Sequence, residues 1–184
     1  MTDRISLPLS AINEDFLQKL RTQYGEHARL DIQVVEMDET PSLSAAAFWH
    51  VMTLLHPDAE LWEARIAAAV DYLANLPIKQ IYQFEDMLAE KLFALDTAAH
   101  AQVAFPEGEH LSVDGFLYVR AAVVARGQAH YQDVLENPAL LDMEEDFEPL
   151  LSLAAQAYEQ KTGRAFDYVA PVDYETYANQ AGWG

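Results

Sequence analysis

From Ser112 to Gly127 the chain reads Ser-Val-Asp-Gly-Phe-Leu-Tyr-Val-Arg-Ala-Ala-Val-Val-Ala-Arg-Gly, apolar at almost every position. At about 100° per residue, Val113, Phe116, Arg120, Val123 and Val124 share one broad face, and Tyr118, Ala121, Ala122 and Ala125 line another. A helix that is apolar all round belongs in the middle of a bundle, and the alanines allow a second helix to approach closely. Around it lie one-sided patterns. Phe48 and Trp49 fall in a helix opened by Ser42 or Ser44 and stopped at His56-Pro57. Trp62, Ile66, Ala69, Val70 and Leu73 stripe a helix capped by Asp58, and Ile81, Phe84, Leu88, Leu92 and Leu95 stripe one begun by Pro77. A short helix is predicted over Thr97–Phe105, and the helix pattern resumes over Gln128–Glu136 until Asn137-Pro138. Phe147, Leu150, Leu151, Ala154 and Tyr158 predict a last long helix ended by Thr162-Gly163.

The N-terminal residues differ in pattern. Ser10 or Asn13 can cap a helix bearing Ile12, Phe16, Leu17 and Leu20, with Gly25 as its stop. Leu30–Glu36 then alternates and is β-branched, the clearest strand signal in the chain. A lone strand needs a partner. It could find one in Phe166–Val172, or in the same strand of a second subunit, giving a homodimer through Leu30–Glu36. The expected fold class is therefore mainly α: a compact helical array over 41–184 with a small helix–strand appendage over 1–40, leaving a minor β pairing open.

The charge is lopsided, with 30 acids against 11 bases for a formal net of −19. Such a field disfavours nucleic acid and anionic membranes as partners and favours basic proteins or cations. The acids are unevenly spread. Between Gly127 and Gln160 there is no Lys or Arg, while Asp133, Glu136, Asp142, Glu144, Glu145, Asp146, Glu148 and Glu159 all fall there. That stretch is the predicted docking patch for a basic partner. The absence of cysteine excludes disulfides, thiolate metal sites and a cysteine nucleophile. The N-terminal residues lack the pattern of a secretory signal, and no segment has the ~20 apolar residues of a membrane span. A cytoplasmic protein is expected.

Few residues suggest chemistry. Arg120, set among apolar positions, requires a carboxylate or a ligand, because an unpaired buried guanidinium is costly. Its forked donors suit a bidentate acceptor. One reading is a structural Arg–Glu or Arg–Asp pair that fixes helix register. The other is a ligand site in which Asp114, Tyr118 and Arg120 line a pocket and hold an anion. The six histidines form no zinc-type pair, and no metal or other cofactor is expected. Glu107, Glu109, His110 and Asp114 crowd one loop and could hold a cation through oxygens, but without any known ligand spacing. Phosphate-binding glycine motifs and a Gly-x-Ser-x-Gly nucleophile elbow are absent, so no catalytic residue is assigned.

Phe48-Trp49, the run Ser112-Val-Asp-Gly-Phe-Leu-Tyr-Val-Arg120 with Gly127, and Ala157-Tyr158-Glu159 with Thr162-Gly163 together resemble a bacterial domain-of-unknown-function family, number 4240. The resemblance covers about residues 45 to 163. Val113, Val119, Ala122 and Gln128 depart from its pattern, where the family carries Asp, Phe, Trp and Arg. It implies a mostly helical fold and a bacterial, cytoplasmic origin, and it supplies no activity. The leading expectation is a non-enzymatic protein-interaction module, of an inhibitor or immunity-like kind, that meets a basic partner. The alternative is a small-molecule or anion-binding protein, or an enzyme, with its pocket around the central helix.

Overall fold

A computed structural model describes residues 11–25, 29, 40–105 and 112–184, and among them the protein is mainly helical, with no strand. The chain divides into two compact units, 1–39 and 40–184. Of the first, the described part is helix α1 (Glu14–Tyr24), whose Asn13 side chain accepts a hydrogen bond from the Phe16 amide and whose end is Gly25. None of its residues is buried. The predicted strand Leu30–Glu36 lies outside the described residues.

The second unit is built from α2 (Ala45–Met52), α3 (Trp62–Asn75), α4 (Ile78–Leu95), α5 (Ala98–Ala104), α6 (Val113–Ala125), α7 (Gln128–Glu136), α8 (Leu153–Thr162) and the single turn α9 (Gln180–Trp183). Tight 3-10 turns at Pro138–Leu140 and Glu148–Ser152 link α7 to α8. The apolar stripes become the core: Phe48, Phe84, Leu88, Leu92, Phe116, Val124 and Leu153 are all fully enclosed. Helix α6 is buried over both of its faces and lies against α4, α5, α7 and the turn at 148–152, while α3 packs on α8. It starts at Ser112, whose hydroxyl accepts from the Gly115 amide, and carries Asp114 in its first turn, where a negative charge suits the helix dipole. It stops before Gly127, whose φ of 94° and ψ of 177° suit only glycine.

Three local expectations are corrected. Helix α3 begins after Leu61 without a side-chain cap, and Asp58 instead sits in the preceding turn. The last long helix is shorter than its stripe: Phe147 and Leu150 are buried, but Pro149 sits inside a 3-10 turn and the α-helix begins only at Leu153. Residues 166–172 form no strand. Their rings are used for packing instead, with Phe166 and Tyr168 against Tyr82 of α4 and Phe166 against Tyr158 of α8. The Tyr82–Tyr168 pair is stacked at 4.3 Å between centroids. The Trp62 side chain lies outside the described residues.

Candidate functional site

After α8 the chain turns at Gly163 (φ 68°) and runs as an irregular strap, residues 164–184, along α4 and in the same direction. Its fastenings follow α4 residue by residue. Phe166 and Tyr168 meet Tyr82, the Tyr168 hydroxyl donates to Asp86 at 2.8 Å, and Asn179 Nδ2 donates to the Phe93 carbonyl at 3.2 Å. Only Thr176 of the strap is buried.

At the far end two enclosed charges grip it. Arg120 is fully buried, yet it makes no ion pair among the described residues. Its Nη1 donates to the Leu92 carbonyl (2.9 Å) and the Tyr174 carbonyl (3.1 Å), and Nη2 donates to the Thr176 hydroxyl (3.0 Å). That hydroxyl in turn donates to the Val113 carbonyl at 2.8 Å. The guanidinium lies over the Phe116 ring at 4.8 Å, and its Nε has no hydrogen-bond partner among the described residues. The expected carboxylate pair is thus replaced by carbonyl and hydroxyl acceptors. Burial pushes the Arg120 pKa down to about 10, opposed by the charges of Asp96 and Glu175, so the side chain remains a cation at neutral pH.

Asp96, also fully buried, sits just beyond the end of α4. Its carboxylate accepts from the Tyr177 amide (3.2 Å), the Asn179 amide (2.9 Å) and the Trp183 indole (3.0 Å). The Trp183 ring meets Phe116 edge to face. Gly182 packs so closely that a Cβ there would lie 2.8 Å from Thr97 Cγ2 and 3.0 Å from the Asp96 carbonyl. Tyr177 is held at φ 78°, a conformation unfavourable for a residue with a side chain.

Two further titratable groups lie beside this region. His100 is buried and its Nε2 faces the Val134 carbonyl at 3.1 Å, which requires a proton on Nε2. Nδ1 therefore accepts from the Thr97 hydroxyl at 2.7 Å. Burial lowers the His100 pKa, with Arg120 adding to the effect and the bond to Val134 opposing it. Glu85 is buried on α4, and burial together with the neighbouring Asp86 charge raises its pKa to about 7 against a lowering hydrogen bond with Tyr174.

The three ligand candidates do not converge. Arg120 faces α4 and the strap, whereas Asp114 is exposed and Tyr118, half-buried, faces Glu148 and Asp114. The intervals explain this: positions 114 and 118 share a helix face, and 120 turns away from both. Of the loop cluster, Glu107, Glu109 and His110 lie outside the described residues. The acidic residues Asp133, Glu136, Asp142, Glu144, Glu145, Asp146 and Glu148 are all exposed. Glu145 pairs with Arg126 at 3.0 Å, and burial together with the Arg126 charge lowers the His130 pKa against the opposing charges of Glu145, Asp133 and Asp142. Leu135, Leu140 and Met143, interleaved with the acids, are also exposed. No group of metal-ligating side chains is assembled among the described residues. No described helix is long and apolar enough to cross a membrane.

Asp96, Thr176 and Trp183 were not singled out by sequence reasoning. The available signal was an aspartate directly after a helix end and a C-terminal segment dense in Tyr and Asp that no helical period explains. Comparison with known families finds a match over residues 43–160 to a family described as a protein of unknown function, DUF4240. No curated protein and no solved structure matches the chain.

Proposed function

The chain belongs to the DUF4240 family, and from that footing we propose that it is a non-enzymatic interaction module that docks a basic protein partner through the face running from α7 to Glu148. One observation carries the reading. Seven acids are exposed over Asp133–Glu148 without a Lys or Arg among them, and the exposed side chains of Leu135, Leu140 and Met143 are interleaved with them along the chain. Apolar contacts framed by one sign of charge suit a basic amphipathic surface, with the charges steering encounter and the apolar groups holding the complex. An inhibitor or immunity-like role is the form that fits best, since it needs only such a surface. The net charge of −19 disfavours nucleic acid and anionic lipid as partners and is compatible with a cytoplasmic setting. Self-association through residues 30–36 would be a separate interface.

The test is affinity capture from native lysate with the wild-type protein and with the triple variant Asp142→Lys, Glu144→Lys, Asp146→Lys. A basic protein retained by the wild type, released by salt and lost by the triple variant is the expected result. Identical protein sets on both baits, or retention indifferent to salt, would overturn the proposal.

A further inference from the structure

The strap is attached to the body in an unusual way for a terminal segment. Among the described residues, its own backbone bonds are local turns (Ala178 to Glu175, Gln180 to Ala178, Gly182 to Asn179), and no backbone-to-backbone bond joins it to a helix of the body. Its first residues are held by their own side chains, Phe166 and Tyr168 on Tyr82 and Asp86, but beyond Asp173 its peptide groups are recognised by side chains of the body. Asp96 reads two amides and an indole N–H, and Arg120 reads a carbonyl and a hydroxyl. At Gly182 an added Cβ would lie 2.8 Å from Thr97 Cγ2 and from the strap's own Asn179 Nδ2 and 3.0 Å from the Asp96 carbonyl, so a side chain there forces its neighbours to shift. These are the elements of a peptide-binding groove: fixed charged readers, an aromatic contact on Phe116, and a steric filter.

The family match covers the readers and stops at residue 160, so the groove lies inside the common domain and its occupant lies outside it. The connection is short and exposed, turning at Gly163 through exposed Arg164 and Ala165. The occupant is bound with Tyr177 in an unfavourable backbone conformation, a cost relieved on release. The buried readers, by contrast, cannot be left bare, because Arg120 and Asp96 would each lose polar partners inside the protein. The groove therefore requires an occupant of this chemistry without requiring that it come from the same chain.

We infer that the groove bounded by Asp96, Phe116 and Arg120 is a peptide-recognition site, filled in cis by residues 173–184 and able to accept the same segment from a second copy of the chain. The Tyr177 and Asn179 amides and the Trp183 indole are read by Asp96, and the hydroxyl of Thr176 by Arg120.

The test keeps the whole protein. A protease site is inserted between Arg164 and Ala165, the full chain is folded, and the nicked protein is then challenged with a fluorescent peptide of residues 171–184. The nicked strap is expected to stay bound at high concentration, to leave on dilution or under excess peptide, and to be replaced by the labelled peptide. A peptide carrying Gly182→Ala or Thr176→Val should compete at least tenfold less well. In an Asp96→Asn nicked chain, whose amide lacks the charge that holds three donors, the wild-type peptide should bind at least tenfold more weakly. A strap that never exchanges under excess peptide overturns the inference. So does exchange that discriminates against neither altered peptide.

Discussion

A single guanidinium shows how this protein manages a buried charge. Among the described residues Arg120 gains three hydrogen bonds and a ring face, but no carboxylate pairs with it and its Nε has no partner. Its net contribution is therefore a balance between good contacts and the cost of desolvating a cation. Arg120→Ala should destabilise by about 3–5 kcal/mol, because a large enclosed volume empties and the Thr176 and Tyr174 acceptors lose their donor. Arg120→Met removes the same charge and the same donors, but its flexible thioether refills the space beside Phe116, so it should cost about 1–2 kcal/mol less than Arg120→Ala. Urea unfolding of both variants measures the difference, and equal losses would show that charge, not volume, sets the cost. The burial of this residue was legible from the apolar run around it. Its partners were not, because Tyr174 and Thr176 lie more than fifty positions away in a segment with no period, and Leu92 contributes only a backbone carbonyl. A sequence shows that an arginine must be satisfied without showing by what.

Among the elements, stripes and stops were the legible parts. Most of the residues that the helical spacing selects in α2, α3, α4, α6 and α8 are buried, with Val113 exposed and Tyr118, Ala125 and Leu151 half-buried, and Gly25, Gly127 and Gly163 end segments where a left-handed backbone is needed. Starts were less legible. Asp58 has the chemistry of a cap, but the turn before α3 is longer than its position implies, and Pro149 permits a 3-10 turn where the apolar stripe suggested continuous helix. The two inner stops differ in a testable way. Gly163 sits at φ 68°, ψ 17°, a region other residues enter at a cost of about 1–2 kcal/mol. Gly127 sits at φ 94°, ψ 177°, a region kept almost entirely for glycine and costing about 1–3 kcal/mol to others. Neither site has a neighbouring atom within 4 Å of an added Cβ, so the backbone alone decides. Gly127→Ala should therefore lower the unfolding midpoint more than Gly163→Ala, and Gly163→Asn should recover part of the smaller loss.

At the scale of the whole molecule, two buried groups pull stability against pH in opposite directions, with the half-buried His130 on the same side as His100. Folding raises the Glu85 pKa from 4.5 to about 7, so the native state binds this proton more tightly than the unfolded chain. Its stabilisation is complete below pH 4.5 and is lost as pH rises through 7, an effect of about 3 kcal/mol at 1.36 kcal/mol per pKa unit. Folding lowers the His100 pKa below its ordinary 6.5, so acidification through that value protonates the unfolded chain first and weakens the native state. The wild-type protein should thus lose stability between pH 5 and 8 when Glu85 outweighs His100, and the general repulsion of a −19 chain adds to that loss. Glu85→Gln cannot ionise and should reverse the trend, with stability rising from pH 5 to 7 under His100 and exceeding wild type at pH 8. Chemical unfolding of both proteins across this range decides the matter, in 0.5 M salt so that surface repulsion is screened and the buried groups remain. Parallel profiles for the two proteins would mean that Glu85 is already charged in the native state, and the strap would then rest at Tyr174 on a carboxylate rather than on a neutral acid.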